Sequence, residues 1–149
     1  MWNDNKSLVL SKVCVIVFMA LLIATAILTP NLVSRLIFMS SNARQAGATL
    51  FFVTIYLGSI PAAALLVSMY MLLRRISAGD VFVSESVSSL RFISWCFFVG
   101  ALIGTASAIY YLPWLPVGIA AAFMCIVVRV IKNVIAKAVS LQDDADYTI

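Results

Sequence analysis

The sequence predicts an all-α integral membrane protein, a four-helix bundle with both termini in the cytoplasm. Hydrophobic residues make up 64% of the 149 residues and charged residues only 11%, against about 25% charged residues in a typical soluble domain. The apolar residues fall in four long stretches, each close to the ~20 residues that cross a bilayer core. The basic residues flank these stretches instead of interrupting them.

The four expected spans occupy most of the chain, which we interpret as a single domain over residues 1–149. They cover about residues 8–29, 47–73, 90–112 and 114–139. The net charge of +4 would suggest nucleic acid in a soluble protein. Here the basic residues are better explained as topology determinants that face anionic headgroups, so the expected surroundings are the lipid bilayer, with no direct nucleic-acid contact.

The distribution of Lys and Arg predicts the orientation. Eight of the ten lie on the side of the chain termini, against Arg35 and Arg44 on the other side. The eight are Lys6, Lys12, Arg74, Arg75, Arg91, Arg129, Lys132 and Lys137. Because cytoplasmic ends are rich in Lys and Arg, both termini are expected inside.

Two prolines mark irregular points in the first half of the chain. Thr29-Pro30 is expected to end the first span and to start a short amphipathic helix, with Pro30 in its first turn and Thr29 as N-cap. Its apolar face would comprise Leu32, Val33, Leu36 and Ile37, followed by a break at residues 40–42. This helix would rest on the outer membrane surface or act as a lid. Pro61 should kink the second span, as a static packing feature or as a hinge.

The segment between spans two and three predicts an ordered turn. Arg74 and Arg75 suit the negative end of the second helix, and Gly79 can adopt the left-handed geometry that ends it. Ser84, as N-cap, and Glu85 would begin the third helix. Phe82 is expected to pack against the helix ends, and Asp80 or Glu85 to pair with an arginine. The residues of this cytoplasmic elbow are Arg74, Arg75, Gly79, Asp80, Phe82, Glu85 and Arg91.

The last two spans carry a packing motif and a basic face. Gly100 and Gly104 form a GxxxG pattern, which allows close helix contact within the chain or between two copies of it, as in a homo-oligomer. Arg129, Lys132 and Lys137 share one face of the fourth helix at the inner interface. Arg129 lies near the hydrocarbon edge and acts either as an anchor or as a substrate or gating charge.

The sequence offers no candidate for catalysis, cofactor binding or metal binding. It has no histidine, which removes the commonest general base and metal ligand. Cys14, Cys96 and Cys125 are far apart, and the spans contain no acidic residue. We therefore expect neither an enzyme nor a cofactor.

Two short motifs resemble the DUF2975 family. Residues 76–82, ISAGDVF, with Leu90-Arg91 after them, resemble its I-x-x-G-x-x-F … L-R signature, and residues 141–149, LQDDADYTI, resemble its L-x-x-E-x-D-L-T-I ending. Ser86 and Asp144 depart mildly from it, where Asn and Glu are usual. The resemblance implies a small bacterial inner-membrane protein, of a family without an established activity whose members are often encoded beside a helix-turn-helix regulator.

Two functions follow as expectations. The first is regulation or signalling through the cytoplasmic loop and tail, with a cytoplasmic regulatory protein as partner. The alternative is an oligomeric channel or small-molecule transporter with Pro61 and the GxxxG helix near its axis.

The eight-to-two split of basic residues makes the orientation testable. In a background without the native cysteines, Ser41→Cys should react with a membrane-impermeant maleimide added outside the cell, and Ser84→Cys should react only after lysis. Labelling of Ser84→Cys in intact cells, with Ser41→Cys protected, would contradict the orientation.

Overall fold

Four long α-helices make up the regular structure of the described residues. A computed structural model describes residues 4–39 and 45–147, and the side chains of residues 5–35 and 47–147. The helices are α1 (Asp4–Met39), α2 (Gln45–Ser77), α3 (Ser84–Ser107) and α4 (Trp114–Tyr147). They contain 36, 33, 24 and 34 residues, and each is long and apolar enough to cross a membrane. The prediction of an all-helical chain with four candidate spans is confirmed.

The helices are ordered as in the chain, each antiparallel to the next. Cα atoms come within 8 Å between α1 and α2, between α2 and α3, and between α3 and α4, and no other pair of helices does so among the described residues. The arrangement is therefore more open than a closed four-helix bundle. The start of α1 and the end of α4 lie at the same end of the helices, which we call the termini end. There the Lys12 Nζ donates a hydrogen bond to Ser77 Oγ at 2.8 Å.

The expected helix break at Thr29-Pro30 is wrong. α1 continues through Pro30 to Met39, so residues 31–39 are not a separate helix, and the expected break at residues 40–42 lies outside the described residues. Val33 is only 2% exposed and Thr29 is fully buried, so this part of α1 packs against protein. Arg35 is exposed.

A hydrogen bond from α2 explains how α1 tolerates Pro30. Proline has no N–H, so it leaves the carbonyl of Ala26, four residues earlier, without its helical donor. The hydroxyl of Tyr56 donates a hydrogen bond to the Ala26 oxygen at 3.2 Å. Because it replaces the donor that proline lacks, this bond stabilises the helix and ties α1 to α2. Pro61 likewise lies inside a continuous helix, α2.

The closest backbone contact joins α3 and α4. A Cβ built on Gly104 would lie 2.9 Å from the Gly118 Cα, and one built on Gly118 would lie 2.8 Å from the Thr105 nitrogen. A Cβ on Gly100 would meet nothing within 4 Å. The close contact expected at both glycines of the GxxxG pattern is thus found at Gly104 alone, and its partner is Gly118.

Two further contacts continue the α3–α4 interface toward the termini end. Buried Ser94 and Cys125 exchange hydrogen bonds, the Cys125 Sγ donating to the Ser94 carbonyl at 3.3 Å and the Ser94 Oγ to the Cys125 carbonyl at 3.5 Å. Next to them Leu90, Ile93 and Val128 form the buried apolar cluster. Leu65 and Leu72 of α2 pack against this cluster, so it joins three helices.

Adding a methyl group at the Gly104–Gly118 contact should separate α3 from α4. We expect Gly104→Ala or Gly118→Ala to lower the free energy of unfolding by about 1–3 kcal/mol, the usual cost of overpacking. Gly100→Ala is the matched control because its Cβ has open space. Thermal unfolding in detergent measures the difference, and equal stability of all three variants would contradict the contact.

The Tyr56–Ala26 hydrogen bond predicts a dependence on Pro30. Tyr56→Phe should destabilise the protein by about 0.5–1.5 kcal/mol, since it leaves the Ala26 carbonyl without a donor. In a Pro30→Ala background the residue at position 30 regains its N–H, so the same substitution should cost less. A double-mutant cycle on unfolding free energies measures this coupling, and a coupling energy of zero would contradict the role given to Tyr56.

Candidate functional site

The polar and charged groups concentrate at the termini end, where α2 turns into α3. The turn begins with a Schellman motif, in which the N–H groups of Gly79 and Asp80 donate to the carbonyls of Ile76 and Arg75, at 3.1 and 3.2 Å. Gly79 has a φ of 92°, a conformation that residues with a Cβ rarely adopt. The expected left-handed glycine is therefore present. In the structure we call residues 74–85 the elbow.

Arg75 connects α2 to the first turns of α3. Its Nη2 lies 3.4 Å from the Glu85 Oε2, while its Nη1 donates to the Glu85 carbonyl and to the Ser89 Oγ, both at 3.1 Å. The side chains are 36% and 71% exposed, so the ion pair itself contributes only about 0–1 kcal/mol. The hydrogen bonds to the backbone and to Ser89 fix the direction in which α3 leaves the elbow.

The expected pairing of Asp80 or Glu85 with an arginine is confirmed at Glu85, while the Asp80 carbonyl accepts a hydrogen bond from the Ser86 Oγ at 3.4 Å. Two details differ from the sequence-based expectation. The N-cap of α3 is Val83 and not Ser84, and it makes no side-chain capping bond. Phe82 is 53% exposed, so it does not pack fully against the helix ends as expected.

The C-terminal part of α4 extends beyond the apolar span as one helix. The expected span ended near residue 139, whereas the helix continues to Tyr147. Every residue from 140 to 147 is exposed. Residues 129–147 are about 28 Å long at about 1.5 Å per residue. On this part of α4, Arg129 and Lys137 are exposed and Lys132 is half-buried.

A groove lies between the start of α3 and the extended part of α4. Its volume is about 320 Å³, and it is lined by Ser84, Val87, Ser88, Arg91, Ala136 and Val139. Arg91, expected in the elbow, therefore belongs to this groove. Arg74 is exposed at the end of α2.

The opposite end of the helices carries a polar network within the apolar region. The Tyr110 hydroxyl donates to the Thr54 Oγ1 at 2.6 Å, and Thr54 shares a hydrogen bond of 3.0 Å with the Ser107 Oγ. Phe51 packs edge-on against Tyr110 and Tyr111. These contacts hold the turn between α3 and α4 against α2, and the isolated hydroxyl residues within apolar spans were the sequence signal that could have predicted them.

A partly open cavity lies beside this network. It has a volume of about 350 Å³ and is lined by all four helices, with Gly58 and Gly100 contributing open space. Its walls are mostly apolar, and the buried indole nitrogen of Trp114 has no hydrogen-bond partner. Among the described residues no group of His, Cys, Asp and Glu could hold a metal ion.

Comparison with known protein families shows to which family the chain belongs. The sequence model of DUF2975, described as a protein of unknown function, matches residues 7–149. The chain belongs to the DUF2975 family. The match covers both the elbow and the exposed end of α4, residues 140–147 of this DUF2975 protein, so both lie within the region that defines the family. No curated protein and no solved structure matches the chain.

Proposed function

We propose that this DUF2975 protein is a regulatory membrane protein that binds a cytoplasmic protein through its termini end. The observation that carries the proposal is the extension of α4 to Tyr147 as an exposed helix. Because residues 140–147 are exposed, the end of α4 gains no stability from apolar packing within the described chain. A partner that packs against it would stabilise it, as in recognition of a helix by a groove.

The chemistry of this extension favours a particular kind of partner. Asp143 and Asp146 give it negative charge, while Leu141 and Tyr147 offer exposed apolar side chains. A groove with a basic rim and an apolar floor would complement both features. The elbow lies at the same end of the helices and offers a second, ordered surface around Glu85.

The proposed location is the bacterial inner membrane with both termini in the cytoplasm. Support comes from the excess of Lys and Arg at the termini end, eight against two, because such residues are retained on the cytoplasmic side. In this orientation the α4 extension and the elbow both face the cytoplasm.

The partly open cavity lined by all four helices favours a second candidate, an oligomeric channel or small-molecule transporter. Thr25, Thr54 and Ser59 place hydroxyl groups among its walls. Two of them are engaged with helix carbonyls, from Thr25 to Leu21 and from Ser59 to Ile55, both at 2.6 Å. Flux of ions or small solutes into liposomes that contain the purified protein tests this candidate.

Crosslinking in cells tests the regulatory proposal. Asp146→Lys on the α4 extension and Glu85→Lys at the elbow should each reduce recovery of the partner at least threefold from equal amounts of inserted protein, because each reverses a charge on the proposed surface. Asp4→Lys is the matched control, since it makes the same change of charge on α1, whose backbone does not approach α4.

The outcomes separate the two surfaces. If Asp146→Lys reduced recovery of the partner and Glu85→Lys did not, binding would involve the α4 extension only. The elbow would then only set the angle between α2 and α3. Identical recovery from all three variants would contradict the proposal.

A further inference from the structure

The groove between α3 and α4 has one polar wall and one apolar wall. Ser84, Ser88 and Arg91 follow one another at intervals of four and three residues, so they lie along one face of α3. Val87, together with Ala136 and Val139 of α4, supplies the apolar surface. The groove therefore suits a molecule that has a polar group beside an apolar part.

The polar groups of this groove are not used elsewhere in the fold. Arg75 of α2 forms an ion pair with the Glu85 carboxylate. Glu85 is the only acidic residue between Asp80 and Asp143 in the sequence. In the described parts of the chain, Arg91, Ser84 and Ser88 make no side-chain hydrogen bond or ion pair. One guanidinium and two hydroxyls are thus available to an anion.

The helix register places the groove at the edge of the membrane. Leu90 and Ile93 pack with Val128, so Arg91 lies at about the level of Arg129 in this antiparallel pair. Phe92 begins the apolar part of α3, and Arg129 follows the apolar part of α4. Arg91 is consequently at the depth of lipid headgroups, and the groove extends from there away from the hydrocarbon.

We propose that this groove binds the headgroup of an anionic phospholipid, with the phosphate on Arg91 and the hydroxyls of Ser84 and Ser88. A guanidinium holds a phosphate through two parallel hydrogen bonds. Val87, Ala136 and Val139 lie farther from the hydrocarbon than Arg91, so they contact the carbon atoms of the headgroup beyond the phosphate. Lys132, one turn before Ala136 on α4 and half-buried, adds positive charge at the same depth and favours an anionic lipid over a zwitterionic one.

Native mass spectrometry of the full-length protein tests this site. The probes are phosphatidylglycerol and phosphatidylcholine with the same acyl chains, titrated into the protein in detergent. Arg91→Gln should weaken phosphatidylglycerol binding by about tenfold, the range for a charge-assisted hydrogen bond. Ser84→Ala with Ser88→Ala should weaken it by about threefold. Binding of phosphatidylcholine should change little.

Arg74→Gln is the matched control, because Arg74 is an exposed arginine at the same end that does not line the groove. Equal losses for Arg74→Gln and Arg91→Gln would overturn the proposal in favour of non-specific attraction to the basic end. Glycerol 3-phosphate supplies the same phosphate without acyl chains. Displacement of the lipid by millimolar glycerol 3-phosphate would show a site for a soluble anion and would also overturn it.

If Arg91→Gln lowers the stability of the protein, the double variant Ser84→Ala with Ser88→Ala still tests the site. It leaves every charge in place, and both side chains lie at the start of α3, where Ser84 and Ser88 are exposed. Helix content and the thermal midpoint of each variant are compared with the unmodified protein. A correctly folded double variant with unchanged binding of phosphatidylglycerol would remove the serines from the site and contradict the proposal.

Discussion

The backbone contact between Gly104 and Gly118 determines how the second half of the molecule is assembled. In a bilayer, lipid tails solvate apolar side chains as well as protein does, so helices associate through close packing and polar bonds. Because neither Gly104 nor Gly118 has a Cβ atom, α3 and α4 come near enough for Ser94 and Cys125 to exchange hydrogen bonds. The same register brings Ile93 against Val128 and sets Arg91 opposite the extended part of α4.

The other polar groups within the apolar helices find their partners inside the protein. The Ala26 carbonyl, which Pro30 leaves without a helical donor, accepts a hydrogen bond from the Tyr56 hydroxyl. Thr29 donates to the Thr25 carbonyl at 2.6 Å, which keeps its own hydroxyl satisfied inside α1. Thr54, Ser107 and Tyr110 satisfy one another across α2, α3 and the following turn. These groups link the helices without any charged residue in the apolar region.

The sequence predicted the features that depend on local chemistry. Four spans followed from the length of the apolar stretches, and the left-handed turn at Gly79 followed from glycine's freedom at the end of a helix. The contact partner of Gly104 could not be predicted, because the pairing with Gly118 depends on the register of two helices. The continuation of α1 through Pro30 likewise depends on Tyr56, which is distant in sequence and supplies the missing donor.

The candidate site was predictable only in part, for a related reason. Arg75, Gly79 and Glu85 are close in sequence, so their association follows from a short turn. Arg91 was grouped with them by proximity, whereas the fold turns it toward Ala136 and Val139 of α4. The N-cap is Val83 because its carbonyl accepts the first helical hydrogen bonds, from the N–H groups of Ser86 and Val87.

The order of the helices also bears on how the protein is made. Since close backbone approaches join only consecutive helices in the described chain, each helix can meet its neighbour as soon as both have been synthesised. No helix has to wait for a distant segment, so little entropy is lost in closing long loops. Assembly can therefore follow the order of the chain, with α2 joining α1, α3 joining α2 through the elbow, and α4 joining α3 last.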